Sequence, residues 1–496
     1  MNFPFHDEAA RCQAAQIDWS KRPMRERLRC VRNLKHLFVD QWLELALTVT
    51  QDVARPAEEV LGTDILPTAD ACRFLERNAR RILRPHRIPR TDRPLWLFGS
   101  RDTVQRRPHG IVGVIGTWNY PIFLNAIQIV QALTAGNGVL WKPSELTPTF
   151  AIKLHELFLK AGFPVDLVIR LPATREAGPQ LAEAAINHLV FTGSADVGRK
   201  LARRLGERLV SSTLELSGCD ALIVAADADV PMAAKATWFG TTLNRGQTCM
   251  AIRRVFVERS CYAGFLDRLR LLAARTEPQP LMLWPQAEQA ERLVRLAVTD
   301  GATLLLPGDL PRAENDPPRY PQTFVVDARP EMAICREASF APIAAVIPFD
   351  SLADVVGWQK LCPYGLAASI FMRNRAKALK LAEALDVGMI SINDTIAPTA
   401  HPATPFGGRG DSGWGSTQGA DGLLAMTVPQ SISERGGSFR PHYDSADGTD
   451  VATAELLKGM LHWCHAKRWR QRWVGLWRMV RAALRCSPGA RSATRG

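Results

Sequence analysis

The sequence predicts an α/β protein built on two parallel sheets, each covered by helices on both faces. In residues 111–217, and again in 220–400, short runs of Val, Ile and Leu alternate with segments whose apolar residues recur at helical spacing. These runs lack polar alternation, which is typical of strands that are buried on both faces of a parallel sheet. We therefore expect two α/β domains of similar construction in series.

The predicted elements follow in chain order. Residues 24–84 are expected to be helical, because apolar residues such as Leu34, Leu37 and Phe38 recur at helical spacing. Proline- and arginine-rich sequence over 85–109 predicts a boundary or a bridging segment. The predicted strands of the first region are 111–115, 138–142, 167–171, 188–192 and 209–214. The predicted strands of the second region are 221–225, 253–257, 302–306, 343–347, 367–371 and 388–392.

Residues 110–141 contain no charged side chain and are long enough to span a bilayer. Polar residues and glycines interrupt the stretch, however, so we interpret it as a β-α-β unit. Pro121 then lies in the first turn of a helix that ends near Ala135.

Composition and charge exclude several classes of protein. Hydrophobic residues make up 46% and charged residues 22% of the 496 residues, which are ordinary values for a folded globular chain. Ten cysteines without CxxC or Cys/His spacing predict neither a disulfide scaffold nor a metal site. The formal net charge of +13 is concentrated towards the C-terminus without a nucleic-acid-binding motif, so we expect no nucleic-acid partner. The first thirty residues lack the order of a secretory signal, and we expect a cytoplasmic protein.

Two segments carry candidate catalytic residues. In LNRGQTCMAIRRVFV (243–257), an Asn-Arg-Gly turn precedes Cys249, and backbone N–H groups near such a turn favour a thiolate. In LELSG (214–218), Glu215 lies in an otherwise apolar strand, where burial raises the pKa of a carboxyl group and suits it to act as a general base. A buried structural cysteine and a glutamate that faces solvent at a strand end are the alternative interpretations.

Seven segments, in order, resemble those of NAD(P)-dependent aldehyde dehydrogenases. They are TWNYP (117–121), GNGVLWKPSELTP (136–148), FTGSADVG (191–198), LELSG (214–218), NRGQTC (244–249), EASFAP (337–342) and PFGGRGDSGWG (405–415). Their order and separation, over about residues 20–430, carry the resemblance. It implies two Rossmann-like domains, one binding the cofactor and one catalytic, with a small β bridging and oligomerisation element. A C-terminal helical tail, predicted from its own sequence pattern, completes the expected fold.

The resemblance also implies a mechanism. Cys249 would attack the aldehyde carbonyl to give a thiohemiacetal, whose oxyanion the side-chain amide of Asn119 and the backbone N–H of Cys249 hold. Hydride transfer would leave a thioester, and Glu215 would activate the water that hydrolyses it to a carboxylic acid. Transfer of the acyl group to coenzyme A is one alternative, which Glu215 disfavours. An inactive scaffold of the same fold is the other, which the joint presence of Asn119, Glu215 and Cys249 disfavours.

The cofactor-binding residues are likewise implied by the resemblance. Gly193, Ser194 and Gly198 lie between a predicted strand and a helix N-terminus, where backbone N–H groups bind pyrophosphate. Lys142 and Glu145 match residues that hydrogen-bond the adenosine ribose, and a carboxylate there repels the 2′-phosphate of NADP. We therefore expect NAD, with NADP as the alternative. The other implied contacts are Trp118, Ser144, Leu216, Glu337 and Phe340.

Some positions depart from the family pattern. The family commonly has a glutamate two residues before the aromatic that packs on the nicotinamide, but here Ala338 precedes Phe340 at that distance and Glu337 lies one position too early. We expect either a looser grip on the nicotinamide ribose or a contact from Glu337 through a local backbone shift. Cys219 and Asp220 replace the frequent Lys-Ser pair.

The implied domains are a dinucleotide-binding domain (1–87 and 108–217), a catalytic domain (218–404) and a bridging element (88–107 and 405–435). The resemblance also implies at least a homodimer.

The segment after residue 435 lies outside the resemblance. Residues 436–452 are predicted to be a linker and 453–486 a helix, on which Trp469, Trp473 and Trp477 recur at helical spacing with arginines on the other faces. This pattern is typical of a helix that lies in a membrane interface. We expect a peripheral contact with an anionic membrane and long-chain or apolar aldehydes as substrates. Packing of the tryptophans on protein is the alternative.

Overall fold

The computed structural model describes residues 4–274, 277–315, 317–437 and 451–485. Within them the chain forms two units. The first unit contains the described residues up to Leu83 together with Arg107–Val428. The second unit contains Arg84–Arg106 and the described residues from Pro429 onwards.

The α-helices of the first unit are α1 (His6–Lys21), α2 (Met24–Asp40), α3 (Trp42–Val53), α4 (Ala57–Val60), α5 (Leu66–Ile82), α6 (Pro121–Ala135), α7 (Pro148–Lys160), α8 (Ala177–Glu183), α9 (Ala195–Glu207), α10 (Val230–Thr242), α11 (Arg259–Ala273), α12 (Trp284–Thr299), α13 (Leu352–Gln359), α14 (Arg375–Ala384) and α15 (Gly419–Ala425). Those of the second unit are α16 (Val451–His465) and α17 (Trp469–Arg485).

The strands are β1 (His86–Arg87), β2 (Ser100–Pro108), β3 (Ile111–Ile115), β4 (Gly138–Lys142), β5 (Val168–Arg170), β6 (His188–Gly193), β7 (Ser211–Leu216), β8 (Asp220–Val224), β9 (Ile252–Glu258), β10 (Gln279–Pro280), β11 (Thr303–Leu304), β12 (Arg319–Tyr320), β13 (Thr323–Val326), β14 (Ile343–Phe349), β15 (Tyr364–Gly365), β16 (Ala367–Phe371), β17 (Met389–Ile392), β18 (Arg409–Gly410), β19 (Gly413–Trp414) and β20 (Thr427–Arg435).

Two large sheets confirm the predicted α/β class. The first sheet has six strands in the order β19-β7-β6-β3-β4-β5, parallel except for β19 at its edge. The second sheet has seven strands in the order β11-β13-β14-β9-β8-β16-β17, parallel except for β11 at its edge. Each sheet packs apolar residues against helices on both of its faces, which gives two hydrophobic clusters per sheet, one on each face.

The charge-free stretch forms the predicted β-α-β unit, with α6 between β3 and β4. All of α6 is buried, so its polar residues need partners within the protein. The side-chain amide of Asn125, for example, donates to the carbonyl oxygens of Thr117 and Pro121 and accepts from the indole N–H of Trp141. Gly136 ends the helix with a φ of 103°, a conformation that glycine adopts without strain.

The second sheet differs in two places from the sequence expectation. The strand predicted over 302–306 is only the two-residue β11 and is antiparallel to its neighbour. Strand β13 was not predicted, although it pairs with both β11 and β14. Its apolar run, TFVV, is only four residues long, which is too short to distinguish a strand from a loop.

Residues 405–428, which the sequence analysis assigned to the bridging element, lie in the first unit. There Gly413 and Trp414 of β19 pair with β7 of the first sheet. The second unit contains a three-stranded sheet in the order β1-β2-β20 and the helices α16 and α17. No helix in the described part of the chain combines the length and apolar character that crossing a membrane requires.

The C-terminal tail is a helical hairpin, so the prediction of one helix over 453–486 was wrong. The chain turns at residues 466–468, and α16 packs along α17. Gly459 and Gly475 face each other so closely that a Cβ on either would lie 2.8 Å from the carbonyl oxygen of the other. This pair of small residues, rather than the tryptophan spacing, permits the fold-back. Of the predicted linker, residues 438–450 lie outside the described residues.

Candidate active site

A strained turn places Cys249 between α10 and β9. Asn244, Arg245 and Gly246 have consecutive positive φ values of 48°, 57° and 74°. A Cβ at Gly246 would lie 2.5 Å from the backbone of Ala341, so only glycine fits there. Three left-handed residues in a row are costly for any chain, and such strain typically occurs at functional sites. The Asn-Arg-Gly sequence is therefore what this turn requires.

The thiol of Cys249 faces the carboxyl group of Glu215. Its Sγ lies 3.7 Å from Oε1 of Glu215, and both residues are buried. Glu215 is on β7, where the β19 residue Gly413 is its cross-strand partner and Thr192 of β6 lies on the other side. The structure thus brings the two sequence-predicted residues together across 34 positions of the chain.

Burial controls the protonation of this pair. It raises the pKa of Glu215 to about 7, from an ordinary value of 4.5. Burial also raises the pKa of the Cys249 thiol well above its usual value, and the neighbouring charge of Glu215 raises it further. The backbone N–H of Met250 acts in the opposite direction but is outweighed. The turn thus contributes the N–H group that the sequence analysis expected, but burial outweighs it, and the net pKa of the Cys249 thiol lies above its ordinary value.

Asn119 is held beside the nucleophile turn by four hydrogen bonds. Its side-chain Nδ2 donates to the carbonyl oxygen of Gln247 at 3.0 Å, and its Oδ1 accepts from the hydroxyl of Thr117 at 2.9 Å. Its own carbonyl oxygen accepts from Arg55 at 2.9 Å and from Asn244 at 3.0 Å. A primary amide has two N–H donors, so the bond to Gln247 leaves one for a further acceptor.

Sequence reasoning missed the buried ion pair behind Asn119. Nη1 of Arg55 lies 2.8 Å from Oδ2 of Asp64, and both side chains are fully buried. Oδ1 of Asp64 accepts from the backbone N–H groups of Ile122 and Phe123, which belong to the first turn of α6. The pair therefore fixes both the start of α6 and the backbone of Asn119. The ion pair joins residues nine positions apart, but the groups that it holds, Asn119 and the start of α6, lie 58 to 64 positions away and leave no local pattern.

Cys249 and Glu215 line a cavity of about 360 Å³ whose walls are largely apolar. Apolar side chains from several elements form the walls: Tyr120, Phe123, Leu124, Phe239, Leu243, Met250, Ile396 and Phe406. A π-helical turn, Leu61–Ile65, joins α4 to α5 and contributes Gly62 and Thr63. Among the described residues that line this cavity there is no Lys, Arg or His.

A second cavity, of about 530 Å³, opens at the N-terminus of α9. Gly193 and Ser194 line it, and the side chain of Ser194 caps α9 by accepting from the N–H of Val197. Trp118 and Phe340 also line it, with ring centroids 6.2 Å apart. Free backbone N–H groups at a helix N-terminus beside an aromatic wall fit a dinucleotide, whose pyrophosphate binds such amides.

The remaining predicted cofactor residues divide into two groups. Glu337 lines this second cavity, whereas Lys142, Ser144, Glu145, Gly198 and Leu216 are not among its lining residues. Gly198 packs against Leu216, and a Cβ on Gly198 would lie 2.5 Å from that leucine. These two residues therefore set how closely α9 approaches β7.

Glu145 carries two ion pairs just beyond the end of β4. Lys142 lies 3.0 Å and Arg175 3.1 Å from its carboxylate oxygens. Burial alone would raise the pKa of Glu145, but hydrogen bonds, including those from Lys142 and Arg175, lower it below its usual value. Arg175 was not among the predicted residues. Ser144 accepts from the N–H of Leu146 and stabilises the same turn.

Glu337 forms an ion pair with Arg292 of α12, and Gln289 of the same helix donates to the carbonyl oxygen of Ala338 at 2.9 Å. The carboxylate of Glu337 is thus paired with α12, although the residue also lines the second cavity.

In the described residues, no group of His, Cys, Asp and Glu is arranged to hold a metal ion.

Comparison with known proteins agrees with this arrangement. The model of the aldehyde dehydrogenase family matches residues 6–432. The 4,4′-diapolycopene aldehyde oxidase of Methylomonas sp is 31% identical over 86% of this chain and 80% of that protein. The betaine aldehyde dehydrogenase of Sinorhizobium fredii is 32% identical over 85% of this chain and 88% of that protein. The structure of an NAD⁺ complex of aldehyde dehydrogenase from Bacillus cereus superposes with a TM-score of 0.81, at 28% identity, over 86% of this chain and 88% of that one.

The chain therefore belongs to the aldehyde dehydrogenase family. It is an NAD(P)-dependent aldehyde dehydrogenase, an enzyme that oxidises aldehydes. The tail formed by α16 and α17 lies outside the family match.

Proposed function

We propose that the enzyme oxidises apolar, long-chain aldehydes to carboxylic acids with NAD, through a covalent intermediate on Cys249. The observation that carries this proposal is the contact of the Cys249 thiol with Glu215 inside a largely apolar cavity. Such a cavity stabilises an apolar chain by removing it from water and leaves the aldehyde carbon beside the sulfur.

Glu215 is proposed to act twice as a base. Above a pH of about 7 its carboxylate accepts the thiol proton as the sulfur of Cys249 bonds to the carbonyl carbon. The free N–H of the Asn119 amide and the backbone N–H of Cys249 then donate to the oxyanion. A bound NAD would supply the oxidant that takes the hydride from the same carbon. Glu215 then releases the thiol proton to solvent and, as a carboxylate again, takes a proton from the water that attacks the thioester. The carboxylic acid leaves as the C–S bond breaks, and the proton held by Glu215 returns to the sulfur.

The cofactor is proposed to bind along the first sheet. The N-terminus of α9 would hold the pyrophosphate, Trp118 and Phe340 the nicotinamide end, and Lys142 and Glu145 the adenosine ribose. In this assignment residues 1–87 and 108–217 form the dinucleotide-binding domain, and 218–404 form the catalytic domain. NAD is preferred because the carboxylate of Glu145 repels a 2′-phosphate, and NADP is the alternative.

Two alternatives keep the same fold. An acylating enzyme would pass the thioester to coenzyme A, and an inactive scaffold would not form it. The contact between Glu215 and the sulfur favours hydrolysis, since a base positioned there can also deprotonate water.

The cavity walls, more than the names of relatives, support the substrate class. The relatives include enzymes named for 4,4′-diapolycopene aldehyde and for betaine aldehyde. The absence of Lys, Arg and His from the described lining leaves a substrate carboxylate without a partner, and the lining is mainly aliphatic and aromatic. An aldehyde with a long hydrocarbon chain matches these walls best.

Steady-state kinetics with a series of aldehydes test the substrate class. With saturating NAD, kcat/KM is expected to rise from butanal to decanal by about fourfold per added CH₂, because burial of each CH₂ contributes about 0.8 kcal/mol. Betaine aldehyde and succinate semialdehyde serve as charged controls. A higher kcat/KM for either control than for decanal would contradict the proposal.

The hairpin of α16 and α17 is proposed to bind an anionic lipid surface. The side chains of Trp469, Trp473 and Trp477 are 66%, 57% and 61% exposed, so more than half of each faces outward, although Trp473 also contacts the ring of Trp463 edge-on. Arg470 and Arg481 lie over two of these rings, and other arginines flank them on α17. Exposed tryptophans insert at the headgroup level while arginines attract anionic headgroups. Apolar aldehydes dissolved in the bilayer would then lie close to the enzyme.

Sedimentation with vesicles of phosphatidylglycerol and phosphatidylcholine tests this surface in the full chain. The wild type is expected to pellet with the vesicles, and a variant with Trp469→Gln, Trp473→Gln and Trp477→Gln is expected to stay in the supernatant. Leu209→Gln removes another fully exposed apolar side chain and is the matched control. Equal pelleting of the triple variant, or none by the wild type, would refute the lipid contact.

The proposed homodimer requires a separate measurement. Light scattering of wild type and triple variant should give the dimer mass for both. A monomeric triple variant would instead assign the tryptophans to an interface between copies of the chain.

A further inference from the structure

A buried arginine joins the nucleophile turn to the wall of the second cavity. Arg253, the second residue of β9, is 1% exposed. Its Nη2 donates to the carbonyl oxygens of Gly246 and Ser339, and its Nη1 donates to those of Ala341 and Ile343. Burying a guanidinium group without a carboxylate partner is costly, so these four backbone contacts are what stabilise it.

The two ends of this connection lie at different parts of the site. Gly246 belongs to the strained turn three residues before Cys249. Ser339 and Ala341 are the two neighbours of Phe340, which lines the second cavity opposite Trp118. One rigid, planar group therefore holds the backbone on both sides of Phe340 at a fixed distance from the nucleophile turn.

We propose that Arg253 is a positioning residue for the oxidation, because it fixes the Phe340 wall of the cofactor cavity relative to Cys249. The proposal rests on the proposed function, in which the nicotinamide lies against Phe340. Hydride transfer depends steeply on the distance and angle between the two reacting carbons, and a wall that moves would degrade both. Ala338 lacks the carboxylate that the family commonly has at this position. Binding of the nicotinamide end therefore depends more strongly on where Phe340 lies.

Arg253→Lys tests this role, because lysine keeps the charge but cannot donate to four carbonyl groups in one plane. Hydrolysis of p-nitrophenyl acetate without NAD reports on Cys249 and Glu215 alone. NAD affinity, measured by isothermal titration calorimetry, reports on the cofactor cavity. We expect at least a fivefold loss of NAD affinity and a tenfold lower kcat for decanal oxidation, with ester hydrolysis within twofold of the wild type.

Two further variants sharpen the test. Arg254→Lys changes the neighbouring buried arginine, whose Nε donates to the carbonyl oxygen of Cys219 and which contacts neither end of this connection. It should leave NAD affinity within twofold. Phe340→Leu should reproduce the effect of Arg253→Lys, and the double variant should bind NAD no more than twofold worse than Phe340→Leu alone. Arg253→Gln is measured in the same way should the lysine variant not fold.

Unchanged NAD affinity in the Arg253 variants would overturn the proposal. A parallel loss of ester hydrolysis and oxidation would also overturn it, since it would show that Arg253 only maintains the nucleophile turn. Failure of the proposed function gives a different result. A Cys249→Ser variant would then hydrolyse the ester as fast as the wild type, whichever residue occupies position 253.

Discussion

The sulfur of Cys249 lies 3.7 Å from Oε1 of Glu215 in a cavity with largely apolar walls. The same burial that brings the two groups together raises the pKa of both, so that the free enzyme keeps its nucleophile protonated. Activation of the thiol is thereby linked to the carboxylate that receives its proton. This link between protonation and attack leads to the following predictions.

Cys249→Ser should lower aldehyde oxidation by about 10³-fold or more, because a serine hydroxyl is much harder to deprotonate and its ester is a poorer acyl donor. NADH absorbance with decanal as substrate measures this loss. Cys261→Ser, which changes a half-buried cysteine on α11, is the matched control and should leave kcat unchanged. Normal turnover by Cys249→Ser would assign the nucleophile to another residue.

The pH profile should report the carboxyl group of Glu215. Its pKa is raised to about 7, and only the ionised form accepts a proton, so kcat/KM should rise about tenfold per pH unit below about pH 6, reach half its maximum near pH 7 and level off above about pH 8. The inflection should be absent from Glu215→Gln. A wild-type inflection near 4.5, the ordinary value, would show that the carboxyl group is solvated during turnover.

Gly62→Leu should shorten the preferred aldehyde. Gly62 lines the substrate cavity, and a Cβ placed on it meets no atom within 4 Å, so a leucine side chain would extend into open space. The ratio of kcat/KM for decanal to that for butanal should fall at least about tenfold, because several methylene groups lose their burial. Gly264→Leu places the same side chain in open space on α11 and should not change the ratio. An unchanged ratio for Gly62→Leu would place the chain of the substrate elsewhere.

Glu145 should control the choice of cofactor. We expect a higher kcat/KM with NAD than with NADP. Glu145→Gln should lower the ratio of these two kcat/KM values about tenfold, since it removes the charge that faces the 2′-phosphate. Arg175→Ala should raise the same ratio, because it removes one of the two cations that partly neutralise the carboxylate of Glu145. A wild-type preference for NADP would contradict the assignment of Glu145.

Helices and strands that are marked by a pattern within their own residues could be predicted from the sequence. The β-α-β unit of β3, α6 and β4 follows from uninterrupted apolar runs with proline at the helix start, and the structure has these elements at the predicted residues. The proximity of Cys249 to Glu215 was implied by the order of family segments, not by composition.

Features set by distant residues could not be predicted. Whether Cys249 is a thiol or a thiolate depends on how completely Glu215 and its surroundings exclude water, which no turn sequence records. Arg55 donates to the carbonyl oxygen of Asn119, 64 positions away, and Arg253 joins the nearby Gly246 to Ser339, which is 86 positions from the arginine. The hairpin of the tail is permitted by the close approach of Gly459 and Gly475, and the tryptophan repeat, which lies wholly on α17, does not mark the turn that precedes it.

The covalent intermediate on Cys249 is the central claim, and intact-protein mass spectrometry of Glu215→Gln tests it most directly. Glutamine cannot deprotonate the water, but it also removes the charge of Glu215 that raises the pKa of the Cys249 thiol, so the thiol can lose its proton to solvent instead. Decanal and NAD should therefore give a burst of NADH of about one per active site, slower than acylation in the wild type but faster than the turnover that follows. The protein mass should increase by that of decanal less two hydrogen atoms, on the peptide that contains Cys249. No added mass after the burst, or an adduct that persists in the Glu215→Gln, Cys249→Ser double variant, would contradict the account.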